Sequence, residues 1–233
     1  MLDLRLKTIA HNIPQNVAIA DIGTDHAKLP IALIESGKAK KAIASDVNQG
    51  PLKRAKKEIK AHNLEKKIEV RQGSGLNHLK QDDKIDVIII AGMGGYLIRD
   101  IILENISFAY SVQQLILQPM NNVPLLRQDL LKNGFKIIKE DLAYEGNRFY
   151  EILVIQKGEM QIKDPIYFEI GYDGCGEKMP LMDAFIEMKM KKQKKIMEST
   201  VNKTSKYARE KYGSSQKILN KLLEIKNENK PSF

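Results

Sequence analysis

The stretch VAIADIGTDHAKLPIALIESG, residues 17–37, sets the fold of the whole chain. Its first residues are almost all apolar and run into Gly23, as expected of a strand that is buried on both faces. The residues after Gly23 predict a helix over 26–37, in which Pro30 is tolerated only within the first turn. A buried strand followed at once by a helix indicates an α/β fold built on a parallel sheet.

The same alternation of strand and helix continues along most of the chain. Further strands are predicted over residues 41–46, 67–73, 86–92, 114–120, 135–145 and 149–158, and helices over 2–13, 50–63, 96–105 and 123–134. The last two strands are joined by a short turn at Gly146 without a helix between them, so the final strand is expected to run antiparallel. We therefore predict a Rossmann-like sheet of seven strands with helices on both faces.

The pattern changes after residues 171–180. Apolar side chains then recur at helical spacing in two sets, which are Leu181, Phe185 and Met188 and, later, Ile218, Leu222 and Ile225. A polar break near 204–206 or 212–215 separates the sets, which predicts an antiparallel, coiled-coil-like pair of long helices. Because such a pair has a thin core, its lysines are expected on the outer faces. We place the domain boundary near residue 165, which divides the chain into 1–165 and 166–233.

The positive charge is concentrated in the C-terminal part. Residues 178–233 contain 14 Lys and Arg against 6 Asp and Glu, whereas the preceding residues contain 24 against 23. A basic segment beside a neutral body is typical of proteins that bind a polyanion such as nucleic acid. The alternative is a lysine-rich face that only keeps the protein soluble.

Composition excludes several other classes of protein. The single cysteine, Cys175, excludes a disulfide framework and metal sites built on several thiolates. No signal peptide is recognisable near Met1, and no apolar run approaches the length of about 18 residues that a membrane span needs. We expect a cytoplasmic protein that binds no metal and no membrane and that acts as a monomer.

Candidate ligand-binding residues follow the predicted strands, since ligands of such sheets bind at the carboxyl ends of the strands. In ADIGTDH (20–26), Gly23 allows a ligand to approach the backbone. A complete G-x-G-x-x-G motif is missing, because Asp25 and Lys28 occupy the later glycine positions. Asp25 would repel the pyrophosphate of a dinucleotide but would tolerate a ligand with a positive centre.

The next two loops favour an adenosine group in the ligand. Asp46 lies 23 residues after Gly23, where an acidic residue binds the hydroxyl groups of a ribose; the alternative is that it only caps a helix. In RQGSGL (71–76), the two glycines beside Ser74 leave room for an adenine ring, or form a plain glycine turn.

The segment AGMGG (91–95) carries no side chain that ionises. It offers backbone N–H and C=O groups, close approach and the flexible side chain of Met93, which suits a flat heteroaromatic base; the alternative is a tight turn with positive φ angles. Asn121 and Asn122, at the same edge, could hydrogen-bond an adenine or cap the next helix. Tyr144 and Tyr150 are candidate stacking residues.

Several of these segments, in order, resemble the bacterial tRNA (adenine-22-N1)-methyltransferase family. They are LRLKTIAHNIP, ADIGTDHAKLPIAL, ASDVNQGPLKRA, GSGL, DVIIIAGMGG and LQPMNN, and the match runs from Leu2 to about Val154. Most amino-methyltransferases of this fold carry an Asn/Asp-Pro-Pro-aromatic motif where AGMGG stands, so the departure is itself specific. The resemblance implies a class I domain that uses S-adenosyl-L-methionine, a helical C-terminal tRNA-binding domain, and methylation of N1 of adenine 22 in the tRNA D-arm.

The resemblance and the loop chemistry together assign roles to residues. Asp25, with His26 beside it, is the candidate for stabilising positive charge that develops on the purine, although His26 could equally be a helix N-terminal residue without a catalytic task. Asp21 is expected to orient its loop and the methionine end of the cofactor. The full cofactor set is Asp21, Gly23, Thr24, Asp46, Val47, Gly73, Ser74, Gly75, Ala91, Gly92 and Met93, and the substrate set is Arg5, Gly94, Gly95, Asn121 and Asn122. Arg5 could also be an ordinary surface arginine.

Three other functions are compatible with parts of the sequence. A nicotinamide-dependent oxidoreductase is disfavoured by the missing glycines and by Asp25. A small-molecule methyltransferase would have no use for the basic C-terminal segment. A catalytically silent RNA-binding protein that keeps the fold remains the third alternative.

Overall fold

The computed structural model describes residues 2–171, 179 and 181–228. The strands are β1 Val17–Ile22, β2 Ala39–Asp46, β3 Ile68–Gln72, β4 Val87–Met93, β5 Gln114–Pro119, β6 Phe135–Glu145 and β7 Arg148–Lys157. The helices are α1 Leu4–His11, α2 Lys28–Glu35, α3 Gln49–Ala61, α4 Gly95–Glu104, α5 Ile106–Ser111, α6 Val123–Lys132, α7 Ile166–Ile170, α8 Met182–Thr200 and α9 Lys206–Glu228.

The seven strands form one sheet in the order β3-β2-β1-β4-β5-β7-β6. The first five strands pair in parallel. The last strand, β7, lies antiparallel between β5 and β6. The predicted Rossmann-like sheet with an antiparallel last strand is therefore confirmed, and its topological switch point lies between β1 and β4.

Each face of the sheet buries its own apolar core. Because side chains alternate along a strand, Ile88 and Ile90 of β4 contribute to the core under α4, α5 and α6, whereas Val87 and Ile89 contribute to the core under α1, α2 and α3. The central strands read as unbroken apolar runs because both of their faces are covered. Pro30 is the third residue of α2, so it falls within the first turn, as its fixed φ requires.

The C-terminal region is the predicted helical pair. Lys226 near the end of α9 donates to Glu187 near the start of α8 at 2.6 Å, so the two helices run antiparallel. The chain reverses over 201–205, which agrees with the break expected near 204–206, whereas 212–215 lies inside α9. Leu181 precedes α8 and is exposed, so its expected place on the buried face is wrong.

A buried ionic cluster joins the helical pair to the sheet. The guanidinium of Arg127 in α6 donates to Glu140 of β6 at 2.7 Å and to Glu151 of β7 at 2.8 Å. Lys189 of α8 is also buried, with its ammonium 3.8 Å from a Glu151 oxygen. The expectation that every lysine lies on an outer face is wrong for Lys189, because this carboxylate draws it toward the sheet.

Some predicted features differ from the structure or stay untested. The short helices α5 and α7 were not anticipated, and α2 begins at Lys28 rather than at residue 26. The division near residue 165 stays a prediction, and Cys175 and Lys178 lie outside the described residues. None of the helices within the described ranges is both long and apolar enough to cross a membrane.

Candidate active site

The loop after β1 is tied to the neighbouring strand by its backbone. The N–H groups of Gly23 and Thr24 both donate to the carbonyl oxygen of Ser45 at 2.8 Å. Gly23 has a φ of 80° and Ala27, just before α2, has a φ of 50°, so two left-handed residues turn the chain sharply into the helix. A Cβ on Gly23 would lie 2.2 Å from the Cε of Met93, so the loops after β1 and β4 meet there.

Asp21, at the end of β1, is a buried acid. Burial raises the pKa of its carboxyl to about 6. The nearby Thr24 hydroxyl opposes this shift by lowering the pKa; its oxygen is buried and meets no hydrogen-bond geometry with any group in the described part of the chain. A buried carboxyl beside a buried, unpartnered hydroxyl is costly without a ligand, which is typical of a binding site.

Asp25 lies at the mouth of the same loop and is largely exposed. Its Oδ1 accepts from Nη2 of Arg54 at 2.6 Å and from Nε at 3.2 Å, and this pairing lowers the pKa of Asp25. The Nε2 of His26 lies 3.4 Å from the other Asp25 oxygen. The carboxylate is thus ionised and already shared between two cationic or polar neighbours.

Asp46 ends β2, as the ribose-binding hypothesis requires. Its Oδ1 accepts from the N–H of Asn48 at 2.8 Å, and Asn48 rather than Asp46 is the N-cap of α3. The carboxylate therefore shapes the turn instead of capping the helix, and its second oxygen has no hydrogen bond within the described part of the chain. Val47 beside it is 52% exposed, which leaves an apolar surface next to the acid.

The glycines after β3 have partners within the protein. A Cβ on Gly73 would lie 2.4 Å from the side chain of His78. Both ring nitrogens of His78 are buried, and neither has a hydrogen-bond partner among the described residues. Gly75 has a φ of 53° and packs beside Ile101, 3.5 Å from where its Cβ would lie. Packing alone thus accounts for Gly73, while Ser74 is exposed at this edge.

AGMGG joins β4 to α4 and contacts the loop after β5. A Cβ on Gly95 would lie 2.7 Å from the carbonyl oxygen of Asn121 and 3.0 Å from that of Asn122. The Gly95 N–H donates to the Asn121 carbonyl at 3.2 Å. Asn122 occupies the N-cap of α6 at a φ of 51° without a capping side-chain bond. Because Gly95 has no side chain, the loops after β4 and β5 can contact each other through their backbones.

Gln118, near the end of β5, is a site residue that sequence reasoning missed. It is 0% exposed, and its Oε1 accepts from Nη1 of Arg5 at 2.8 Å and from the N–H of Gly92 at 3.2 Å. Its Nε2 donates to the Pro119 carbonyl at 2.9 Å. A glutamine inside an apolar strand was the one available signal, because such a group must find partners.

Arg5 is held at the site from the N-terminal helix. Besides its bond to Gln118, its guanidinium lies 5.8 Å from the ring centroid of Tyr150. The guanidinium of Arg148 lies 5.4 Å from the same ring. Tyr150 is thus engaged by two cations, which favours a supporting role over the stacking of a base. These contacts fix the Arg5 guanidinium beside the site, while its role in binding the substrate stays a prediction.

Two cavities open at this edge of the sheet. A cavity of about 170 Å³ is lined by Arg5, Asp21, Gly23, Thr24, Asp25, His26 and Ala91, among others. A larger cleft of about 930 Å³ is lined by Asn121, Asn122 and Tyr144 on one side and by α8 on the other. The structure thus brings the predicted catalytic pair together with Asp21 and Arg5, and places both asparagines in the larger cleft.

Comparison with known proteins agrees with this arrangement. Residues 2–153 match the family described as a methyltransferase domain. A curated relative, the tRNA (adenine(22)-N(1))-methyltransferase of Bacillus subtilis, is 39% identical over 158 residues, which are 68% of this chain and 66% of that protein. The matched segment thus spans slightly less than two thirds of the Bacillus protein.

Two solved structures extend the similarity to almost the whole chain. A Streptococcus pneumoniae protein in complex with S-adenosyl-L-methionine has a TM-score of 0.82 at 35% identity and covers 94% of this chain and 100% of its own. The structure of M. capricolum TrmK in complex with S-adenosyl-homocysteine has a TM-score of 0.82 at 29% identity and covers 97% of this chain and 98% of its own. The chain therefore belongs to the bacterial tRNA (adenine(22)-N(1))-methyltransferase family.

Proposed function

We propose that this protein transfers a methyl group from S-adenosyl-L-methionine to N1 of adenine 22 in the D-arm of tRNA. The observation that carries the proposal is the buried carboxyl of Asp21 at the switch point of the sheet. A buried acid there attracts a cationic ligand and repels a pyrophosphate. The same feature disfavours a nicotinamide dinucleotide.

The residues around the smaller cavity fit the cofactor. Asp21 and the buried Thr24 hydroxyl offer an acceptor and a donor for the polar, amino-acid end of the cofactor. The Asp46 carboxylate would accept from the ribose hydroxyls, and the exposed Val47 side chain would pack against the adenine. The cofactor supplies a methyl group that is bound to a positively charged sulfur.

The target nitrogen sets modest chemical demands on the protein. Adenine N1 is neutral and carries no proton, so its attack on the methyl carbon requires alignment rather than a general base. The methylated purine is a cation, which the carboxylates of Asp21 and Asp25 would stabilise. Asp25 contributes less than a free carboxylate would, because Arg54 already shares its charge.

Access to the base requires that the RNA open locally. N1 lies on the pairing edge of adenine, so the base must leave its partner before it can reach the site. The AGMGG loop, with Gly94 beside Asn121, and the two asparagines would contact this base. The basic C-terminal region would bind the surrounding phosphates. We place this reaction in the cytoplasm, with the protein acting as a monomer.

The proposal is tested in two steps. Isothermal titration should show binding of S-adenosyl-L-methionine and of S-adenosyl-homocysteine, but no binding of NAD. Incubation of the protein with labelled S-adenosyl-L-methionine and total tRNA should then yield labelled 1-methyladenosine after nucleoside digestion. Binding of NAD without binding of the sulfonium cofactor, or label only in small molecules, would overturn the proposal.

A further inference from the structure

The larger cleft, of about 930 Å³, lies beside the proposed base site. Its volume is at the upper end of the range typical of ligand pockets, about 300–1,000 Å³. One wall carries Asn121, whose carbonyl accepts from Gly95 in the AGMGG loop at 3.2 Å. The opposite wall is α8. Whatever enters the cleft therefore passes directly next to the loop that would receive the target base.

The α8 wall carries a row of lysines. Lys191 and Lys192 line the cleft. A second cavity, of about 510 Å³, shares these two residues and adds Lys195 further along the helix. Residues three and four apart lie on one face of a helix. The three lysines therefore form a positively charged surface that extends along α8 from the cleft, away from the site.

The carboxylates in the cleft already have cationic partners within the protein. The pairs are Glu151 with Arg127 at 2.8 Å, Glu187 with Lys226 at 2.6 Å, and Glu169 with Lys189 at 3.9 Å. The remaining cation on the opposite wall, Arg148, donates to the carbonyl of Met120 at 2.6 Å and thereby fixes the loop before Asn121. Among the described residues, Lys191, Lys192 and Lys195 form no ion pair, and the one carboxylate that Lys191 influences, Glu187, is already paired with Lys226. Most of the charge of the α8 lysine row is therefore open to an anion from outside.

An exposed aromatic ring faces the same cleft. Tyr144 is 42% exposed, and its ring lies 4.6 Å from that of Phe149, which in turn lies 5.4 Å from that of Phe185 in α8. The two phenylalanines support Tyr144 from the protein side and leave ring surface open to solvent. A supported, exposed aromatic ring beside a row of cations is the usual arrangement for binding a single strand of nucleic acid.

We infer that this cleft holds the single-stranded RNA segment that flanks the target adenine. Lys191, Lys192 and Lys195 contact successive phosphates, and Tyr144 stacks on a base adjacent to the target. Unstacked bases are the usual object of RNA recognition, and the target must be unpaired before it can react. The inference rests on the proposed function and adds the path that the strand takes across the protein.

Two variants that each lose three positive charges distinguish binding of RNA in the cleft from non-specific electrostatic attraction to the whole protein. One replaces Lys191, Lys192 and Lys195 by Gln, and the control replaces Lys203, Lys206 and Lys217, which are exposed in the turn after α8 and on α9. Binding of a tRNA transcript is measured between 50 and 300 mM KCl. The cleft variant should bind at least tenfold more weakly, and its slope of log K against log salt should shrink by about 2, at about 0.7 per single-strand contact.

The control variant should lose far less affinity and keep most of its slope. If both variants lost the same affinity for tRNA, the lysine row would act only through the overall positive charge of the protein, and the inference would be overturned. Circular dichroism and S-adenosyl-L-methionine titration verify that both variants fold. If the wild-type protein transfers no methyl group to tRNA, the proposed function itself fails; if it does and the variants behave alike, only the inference fails.

Tyr144 is tested against Tyr207, an aromatic residue that is 70% exposed at the start of α9. Tyr144→Leu should raise KM for tRNA about tenfold, the cost of one stacked base, with unchanged affinity for S-adenosyl-L-methionine. Tyr144→Phe should behave as wild type, since the ring and not the hydroxyl stacks. A KM for Tyr144→Leu equal to that of Tyr207→Leu would remove the stacking role.

Discussion

Asp21 is the residue whose ionisation governs the cofactor end of the sheet. The pKa of its carboxyl is about 6 in the folded protein against 3.8 in an unperturbed carboxyl, so the folded state holds the proton more tightly. The protonated Asp21 carboxyl thus adds to the free energy of unfolding. This contribution is fully present below about pH 4 and is lost as the pH rises through 6. At neutral pH the protein therefore keeps a destabilising charge at its binding site, a common cost of function.

Replacing Asp21 by Asn should separate stability from binding. Without ligand at pH 8, the Asn variant should be more stable by up to about 3 kcal/mol, which corresponds to the pKa difference. Wild-type affinity for S-adenosyl-L-methionine should rise as the pH increases through 6, whereas the variant should bind weakly at every pH. Urea unfolding and titration calorimetry at pH 5 and 8 measure both effects, and a variant that retains the wild-type pH profile would exclude Asp21 from cofactor binding.

Gln118 is expected to position Arg5 and Gly92 rather than to touch the cofactor. Gln118→Leu leaves the Gly92 N–H and the guanidinium without their acceptor, at a cost of about 1–3 kcal/mol. Single-turnover methyl transfer should slow by tenfold or more while the Kd for S-adenosyl-L-methionine changes less than threefold. Gln118→Glu keeps an acceptor of the same length and should recover part of the rate. A wild-type rate in Gln118→Leu would show that these bonds are dispensable.

Among the structural elements, the junctions after β4 and β5 depend on backbone contact. The close approach of Gly95 to the Asn121 and Asn122 carbonyls means that even a methyl group must displace the neighbouring loop. This constraint, together with the φ of 77° at Gly92, explains much of the AGMGG sequence through protein packing. The tight-turn interpretation of the segment thus has direct support, while a contact with the target base stays a proposal.

Gly95→Ala should cost about 1–3 kcal/mol, because the added Cβ overpacks the junction. The matched control is Gly213→Ala within α9, where a built Cβ meets no atom of the described residues within 4 Å. The control should gain about 0.5–1 kcal/mol, since alanine is the better helix former. Urea unfolding measures the change in the free energy of unfolding of each variant. Equal changes in the two variants would mean that the close loop contact does not hold in solution.

In the molecule as a whole, buried charges connect the methyltransferase sheet to the helical pair. Arg127, Glu140 and Glu151 lie in the interior, and Lys189 reaches Glu151 from α8. Phe149 and Phe185 pack across the same boundary. Removal of the helical pair would therefore uncover apolar surface and buried charge, so substitutions on the helix surface test RNA binding more cleanly than truncation does.

Arg127→Ala should destabilise the protein by about 3–5 kcal/mol, because it removes the buried guanidinium that pairs with the carboxylates of Glu140 and Glu151. Replacing Glu140 and Glu151 by Gln in the same background should restore much of the lost stability, since neutral amides do not need the positive charge of Arg127. Thermal unfolding of the single and triple variants measures this, with Arg99→Ala, which removes the partly exposed pairs of Arg99 with Asp100 and Asp129, as the control. A loss below 1 kcal/mol for Arg127→Ala would show that water reaches the cluster.

The sequence predicted the sheet, the helical pair and the loops that form the site, because apolar runs, helical spacing and glycine positions are local signals. It did not predict the partners of Gln118, since Arg5 lies 113 residues away. It also missed the pairing of Asp25 with Arg54 and the burial of Lys189. These contacts depend on how distant elements pack, which no short pattern encodes.

The roles proposed for the site residues and for the cleft all depend on which atom of the tRNA is methylated. Two tRNA transcripts that differ only at position 22, one with adenine and one with guanine, are incubated with the protein and S-adenosyl-L-methionine. The adenine transcript should take up one methyl group, yield 1-methyladenosine on digestion and stop reverse transcriptase at position 22, because N1 methylation blocks the pairing edge. The guanine transcript should take up none. Equal methylation of both transcripts, or a methyl group at another atom or position, would contradict the assignment.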